Sequence, residues 1–392
     1  MLSPSRLRIA RKRRGLTLTS LAAKADISTR SLSAYENGHQ EPSDETLDCL
    51  AQALQVAPSF LKASDIEEIP LDAVSFRALS KMTARQRDRA LASGRIAVEI
   101  NGWIEARFTL PRPDVPVLAG HDPEVAAEML RARWGLGVAP IRNMLHLLEA
   151  HGVRVYSLTG ENAELDAFAL RWHGQPYVFL NTMKSAERGR FDAAHECGHL
   201  VLHGGCQFPH DPQAEAEADR FASAFLMPGD SVLAQGLREA TVDRILKAKR
   251  YWNVSAMALT RRLSDLGLLT EWGYRSACVQ LSKMGYRSSE PDGLQRESSQ
   301  LLAKVFAALR EDRKRPSAIA EDLGLTVEDL LSHVFGLTML AVTRPAATDE
   351  HGELSNEALA CGWSATNAMQ ASFTPTPLRS IGPSRTSTPP PA

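Results

Sequence analysis

Residues 191–203 read FDAAHECGHLVLH, and the reading of this stretch decides what kind of protein the chain is. His195 and His199 stand four apart, so on a helix they share one face, separated by one pitch of about 5.4 Å. At that spacing two imidazole nitrogens can hold one Zn²⁺ at about 2.0–2.1 Å each. Glu196 sits beside the first histidine, where its carboxylate can take the proton of a water whose pKa zinc lowers to about 7. An HExxH pattern also arises by chance, as polar residues on an ordinary helix, so its surroundings must decide. Phe191, Ala194, Leu200, Val201 and Leu202 make this helix partly buried, and two imidazoles on an apolar helix need partners. A metal is one such partner.

A zinc site needs a third ligand. Position 205, six residues after His199, would be a histidine in a metzincin but is glycine here. His203 and His210 are off that spacing and read as residues behind the ligands or at the surface. Downstream lies EAEADRFASAFLMP, residues 215–228, where Glu215 and Asp219 are one helical turn apart and share a face. Glu217 points roughly opposite, because two residues advance about 200°. The expected ligand is Glu215, with Asp219 fixing the ring N–H of a ligand histidine, which is the gluzincin arrangement. Glu217 is the alternative ligand. In the competing view all three carboxylates solvate a helix whose core face is Ala218, Phe221, Ala222 and Phe225.

The chain around these motifs has 392 residues, enough for two or three domains. It is 44% hydrophobic and 23% charged, as expected of a globular protein with real cores. The formal net charge is −1, so any affinity for nucleic acid must come from a local basic region. No apolar run approaches the roughly 18 residues that span a bilayer. The opening MLSPSRLRIARKRRG has charge but no following apolar stretch, so no secretory signal is expected. Cys49, Cys197, Cys206, Cys278 and Cys361 are odd in number and scattered, which is neither a disulfide framework nor a CxxC pair. A cytoplasmic location follows as the expectation.

Turn signals and periodicity divide the chain into a helical unit at 1–64, a helical linker and proline-rich arm at 65–122, a metal-binding unit at 123–268, a helical region at 269–344 and a tail at 345–392. Within the third unit GVRVYSL, LDAFALRW and QPYVFLN read as three short strands. The tail, rich in Ser, Thr, Ala and Pro and ending TSTPPPA, is expected to be disordered.

The first unit contains GLTLTSLAAKADISTRSLSAYENGHQEPSDETLDCLAQALQV, residues 15–56. A helix from about Thr17 to Ala25 turns at Asp26 and Ile27, and a second begins near Ser28 or Thr29, whose hydroxyls can cap it. Leu21, Ala22, Ile27, Leu32, Leu47, Leu50 and Leu54 fall where a small helical core needs them, and Gly38 suits a helix stop. The segment resembles the helix-turn-helix of Cro/CI-type (XRE) repressors over about 60 residues. That resemblance implies that the second helix enters the major groove, with Ser28, Thr29, Arg30 and Ser33 toward the base edges. Arg30 would contact guanine, worth roughly 1–3 kcal/mol of discrimination. Arg6, Arg8, Arg11, Lys12, Arg13 and Arg14 would neutralise phosphates, with Arg13 as the representative contact. Leu18 departs from the family, which usually has glutamine there as a backbone contact.

The third unit is similar to the ImmA/IrrE metallopeptidases (family M78, formerly DUF955). The likeness runs through AFALRWHGQPYVFLNTMKSAERGRFDAAHECGHLVLH (167–203) and EAEADRFASAFLMP, and upstream through VSFRAL (74–79) and LRARWGLGVAPIRNMLHLLEAHGVRVY (130–156). It implies a mainly α chain: a lambda-repressor-like all-α domain, an α+β zincin-like (gluzincin) domain with a small sheet, and C-terminal helices. It also implies zinc at His195, His199 and Glu215, catalysis by Glu196, and cleavage of an XRE-type repressor, or of the chain itself, to control transcription from an operator. A homodimer on an inverted repeat is expected. Cys197 replaces the usual apolar residue inside HExxH and reads as a small core residue. QPYVFLN, just before the zinc helix, is the candidate edge for an extended substrate strand, and Tyr177 and the His203/His210 pair are the candidate oxyanion groups. The arm at 107–122 is either packed on the zincin surface or a cleavable tether. The competing function is a regulator or antitoxin-like module whose peptidase fold only senses or dimerises.

Overall fold

A computed structural model describes residues 1–76, 82–158, 167–205, 208, 211–287 and 289–336. The tail expected to be disordered lies outside these residues, as do His210 and Cys206. The N-terminal unit is α1 (Pro4–Arg13), α2 (Leu18–Lys24), α3 (Thr29–Glu36), α4 (Asp44–Leu54) and α5 (Pro58–Lys62). Thr17 and Ser20 form a capping box on α2, and the Ser28 hydroxyl caps α3 by accepting from the Ser31 amide at 2.9 Å. Leu21, Ala22, Leu32, Leu47, Leu50 and Leu54 are buried as the core, and Gly38 takes the left-handed conformation just past α3 (φ 68°).

The strands are β1 (Val74–Phe76), β2 (Arg154–Ser157), β3 (Ala167–Trp172) and β4 (Gln175–Leu180), in the order β1-β3-β4-β2. β3 and β4 are joined by His173 and Gly174, both at positive φ, as a two-residue hairpin turn of the primed kind requires. β2 pairs with β4 in parallel, and β1 with β3 antiparallel. Side chains alternate along these strands, and the two faces differ in size. Tyr156, Phe168, Tyr177 and Phe179 turn to α6 (Ala84–Glu105), where Gly94 lies against the Phe168 and Phe179 rings. Ala167, Ala169 and Val178 turn to the opposite face, toward α9 (Ala186–Leu202). Small residues on this side let the HExxH helix come close to the sheet.

Between α6 and β2 come α7 (Pro123–Arg133) and α8 (Met144–Ala150); after α9 come α10 (Pro212–Leu226), α11 (Gly229–Ala234), α12 (Val242–Trp252), α13 (Ala256–Asp265) and α14 (Glu271–Lys283). The last described helices are α15 (Gln300–Glu311), α16 (Pro316–Leu323) and α17 (Val327–His333).

Within residues 65–122, α6 packs against both α1 and the sheet, so one apolar core runs from the helix-turn-helix through α6 to α15–α17. QPYVFL is not a sheet edge, because β4 is paired on both sides. The arm at 107–122 is also tied down. The Asp114 amide donates to the His151 carbonyl at 2.9 Å, the Leu118 amide to Val201 at 2.7 Å, and the Trp134 indole to the Asp114 carbonyl at 3.0 Å. Gly152 lies so close to Arg112 that a Cβ there would meet its carbonyl oxygen at 2.2 Å. The proline-rich arm therefore packs along the unit of residues 123–268, the first of its two expected dispositions.

Candidate metal centre and nucleic-acid face

The metal centre depends on how closely α10 approaches α9. Gly198, inside HECGH, makes that approach possible: a Cβ there would come within 3.0 Å of the Phe221 ring and 3.3 Å of the Ala218 Cα. With the helices in contact, His195, His199 and Glu215 each offer a ligand atom within 4.8 Å of the others. The His195 and His199 Nε2 atoms are 3.1 Å apart, and each lies 3.3 Å from a Glu215 carboxylate oxygen. Ligands at about 2.0–2.1 Å from a tetrahedral zinc are separated by about 3.3 Å, so the three donors fit the ion.

The other ring nitrogens are held from behind. His195 Nδ1 meets Asp219 Oδ1 at 2.8 Å, as the helical spacing predicts. His199 Nδ1 meets His203 Nδ1 at 3.1 Å, and His203 Nε2 meets Glu217 Oε2 at 2.9 Å. When each Nδ1–H of the ligand pair is donated outward, both Nε2 lone pairs converge with the Glu215 carboxylate, an arrangement suited to a cation. Glu217, the alternative ligand, is thus the anchor of His203 and does not reach the ligand cluster. His203 repeats the four-residue spacing of His195 and His199, the signal that could have placed it in the centre.

Burial holds the His199 imidazole down to about 4, which keeps it neutral and able to ligate. Burial acts to raise the Glu215 carboxyl, but the His195 and His199 imidazoles against it hold it well below the usual carboxylate range. Glu196 is buried, and its desolvation pushes it up to about 7 against the pull of His195 and of Ser75. Ser75 Oγ donates to Glu196 Oε2 at 2.7 Å and accepts from the Ala169 amide at 2.8 Å. No local spacing announces Ser75, which lies on a strand 121 residues away in sequence. Cys197 is buried among apolar neighbours with its thiol pushed up by desolvation, in keeping with a core residue. Tyr177 is excluded as an oxyanion group: it turns to the α6 face, where its hydroxyl accepts from Asn101 at 3.1 Å.

On the nucleic-acid side, Ser28, Thr29 and Arg30 are exposed at the start of α3 and Ser33 is half-buried. Arg13 is not on that face. It is buried, and its guanidinium pairs with Asp329 of α17 at 2.6 Å. Its neighbours are also engaged within the chain: Arg6 with Glu99, Arg8 and Lys12 with Glu68, Arg11 with Glu36 and Arg14 with Asp329, all at 2.6–2.9 Å. A run of cations in sequence is thus largely an internal ion-pair network. It docks α1 onto the rest of the chain and leaves little charge for phosphates.

Comparison with family models agrees with these two sites. Residues 7–61 match the helix-turn-helix family, and residues 148–264 match peptidase family M78, the IrrE N-terminal-like domain. No curated protein matches the chain. The matched spans enclose α3 in one case and His195, Glu196, His199 and Glu215 in the other. The chain carries a helix-turn-helix domain of the XRE-like kind followed by an ImmA/IrrE-type M78 peptidase domain.

Proposed function

We propose that this protein is a DNA-binding transcriptional regulator with a zinc-dependent endopeptidase domain that cleaves a repressor-type protein. The observation that carries the reading is the convergence of the His195 and His199 Nε2 atoms, 3.1 Å apart and each 3.3 Å from one oxygen of Glu215, with Glu196 beside them. Two imidazoles and one carboxylate suit Zn²⁺ and leave a position open for chemistry. When bound, zinc supplies a Lewis acid that polarises a carbonyl and lowers the pKa of water. Glu196 takes the proton of the attacking water and delivers it to the leaving amine nitrogen; a carboxyl near 7 is matched to both transfers. Asp219 and the His203–Glu217 pair orient the ligand rings. The tied-down arm at 107–122 is a poor substrate, which favours a separate polypeptide target over self-cleavage. The exposed start of α3 supports operator recognition, and the protein acts as a cytoplasmic homodimer on an inverted repeat.

Metal analysis and cleavage assays on wild-type and Glu196→Gln protein test the reading together. Near-stoichiometric zinc in both, with hydrolysis of a helix-turn-helix repressor by the wild type alone, is the expected result. A wild-type protein that stays metal-free after purification with zinc would overturn it.

A further inference from the structure

The terminal strand of the sheet on the side of the metal centre is β1, three residues of the chain itself laid along β3. β1 pairs antiparallel with β3, with Val74 opposite Leu170, Ser75 opposite Ala169 and Phe76 opposite Phe168. Val74 and Ser75 are buried, and the Ser75 hydroxyl holds the Glu196 carboxylate at 2.7 Å. Two residues upstream of Val74, the Asp72 carbonyl accepts from the Phe208 amide at 2.8 Å, in the connection between α9 and α10. Residues 72–76 therefore strap across from that connection to β3, passing over the general base. Glu196, which Ser75 contacts, is buried.

An extended peptide must bring its scissile carbonyl beside Glu196 to be hydrolysed there. Peptides of that form dock by adding a strand to an open sheet edge. β3 and β4 are paired on both sides; the outer side of β2 lies across the sheet, and at the other end β1 fills the place along β3 where Ser75 meets Glu196. We propose that the side of β3 covered by Val74–Phe76 is the docking edge for an extended polypeptide substrate and that this segment occupies it as an internal competitor. The proposal rests on the metallopeptidase reading above. A segment tethered this closely competes at an effective concentration on the order of mM, so a free peptide of modest affinity cannot displace it. With only three paired residues the strap can nonetheless leave without unfolding the sheet.

The probe is a fluorescent synthetic peptide with the sequence of residues 70–80, PLDAVSFRALS, added to metal-free full-length protein. Ser75→Asp sets a carboxylate against Glu196 and should expel the strap, while Ser75→Thr keeps the hydroxyl. The peptide should bind Ser75→Asp at least ten-fold more tightly than it binds wild type or Ser75→Thr. Equal binding to all three, with Ser75→Asp cooperatively folded by circular dichroism, overturns the proposal. Hydrogen exchange on wild type gives a second reading if that variant does not fold. The Val74–Phe76 amides should exchange well before those of β4, and exchange only through global unfolding would overturn the proposal. Peptide binding is read on metal-free protein, so its failure is distinct from failure of the peptidase reading, which metal analysis and repressor cleavage test.

Discussion

Helices α9 and α3 carry the polar residues that define their two domains, and they dispose of them in opposite ways. On α9, His195, Glu196 and His199 are buried and each is engaged by side chains of the same chain, from Asp219, Ser75 and His203. On α3, Thr29 and Arg30 face outward from a helix whose other side, at Leu32 and Tyr35, is core. A metal centre is built within one molecule, so burying polar groups is affordable where each has a partner. A DNA-reading helix is half of an interface and must leave its hydrogen bonds unmade until the other half arrives. The cationic helix α1 reads in the sequence as a phosphate-contacting element like α3 but behaves like α9, since its charges are engaged in internal pairs.

The largest expected effect tests the self-contained side of this contrast. His199→Ala leaves two protein ligands and should abolish zinc retention after dialysis, measured by atomic absorption. His203→Ala removes only the group behind His199 and should weaken zinc binding by about 10–100-fold without abolishing it. Should both substitutions leave the same zinc content as wild type, His195, His199 and Glu215 are not the site.

What could be read in the sequence follows the same division. The four-residue spacing of His195 and His199, and of Glu215 and Asp219, is a property of a single helix, so each pair was legible without a fold. Glu215 against Glu217 was decided by helix packing: Gly198 sets the distance to Phe221 and Ala218, and that distance selects which carboxylate reaches the histidines. Ser75 was illegible because only the sheet brings β1 to Glu196. β4 looked like an edge because strand order is not encoded in the order of strands along the chain. Arg13 was misplaced for a similar reason: its partner, Asp329, is 316 residues away.

That misplacement yields the next effect in size. Asp329→Ala leaves the Arg13 guanidinium buried without its counter-ion and should cost about 3–5 kcal/mol, read from urea unfolding. Arg13→Ala, on the same reasoning, should lower stability while leaving the salt dependence of DNA binding unchanged. A flattened salt dependence at full stability would return Arg13 to the phosphate-contacting face.

Arg30→Ala probes the open side. It should leave folding unchanged and reduce discrimination between cognate and scrambled operator DNA by about 1–3 kcal/mol, measured by fluorescence anisotropy at fixed salt. A loss of the same size on both DNAs would make Arg30 a phosphate contact and weaken the comparison between α3 and α9.

The smallest effect lies where α1 meets α17. His333, at the end of α17, is buried, donates from Nδ1 to the Asp329 carbonyl at 2.7 Å and has the Arg13 charge nearby. Burial first, and Arg13 second, hold it down to about 4. A histidine whose folded value lies below its unfolded value of about 6.5 binds fewer protons folded than unfolded between those limits. Its contribution is therefore complete above about pH 6.5 and is lost as the pH falls toward 4. At pH 5.5 the loss relative to pH 7 should be roughly 1 kcal/mol. His333→Asn keeps an amide for the Asp329 carbonyl but cannot titrate, so its unfolding free energy should fall less than that of wild type over the same range. If both proteins lose the same amount, the acid sensitivity belongs to other groups, and the contact between α1 and α17 is indifferent to protonation at His333.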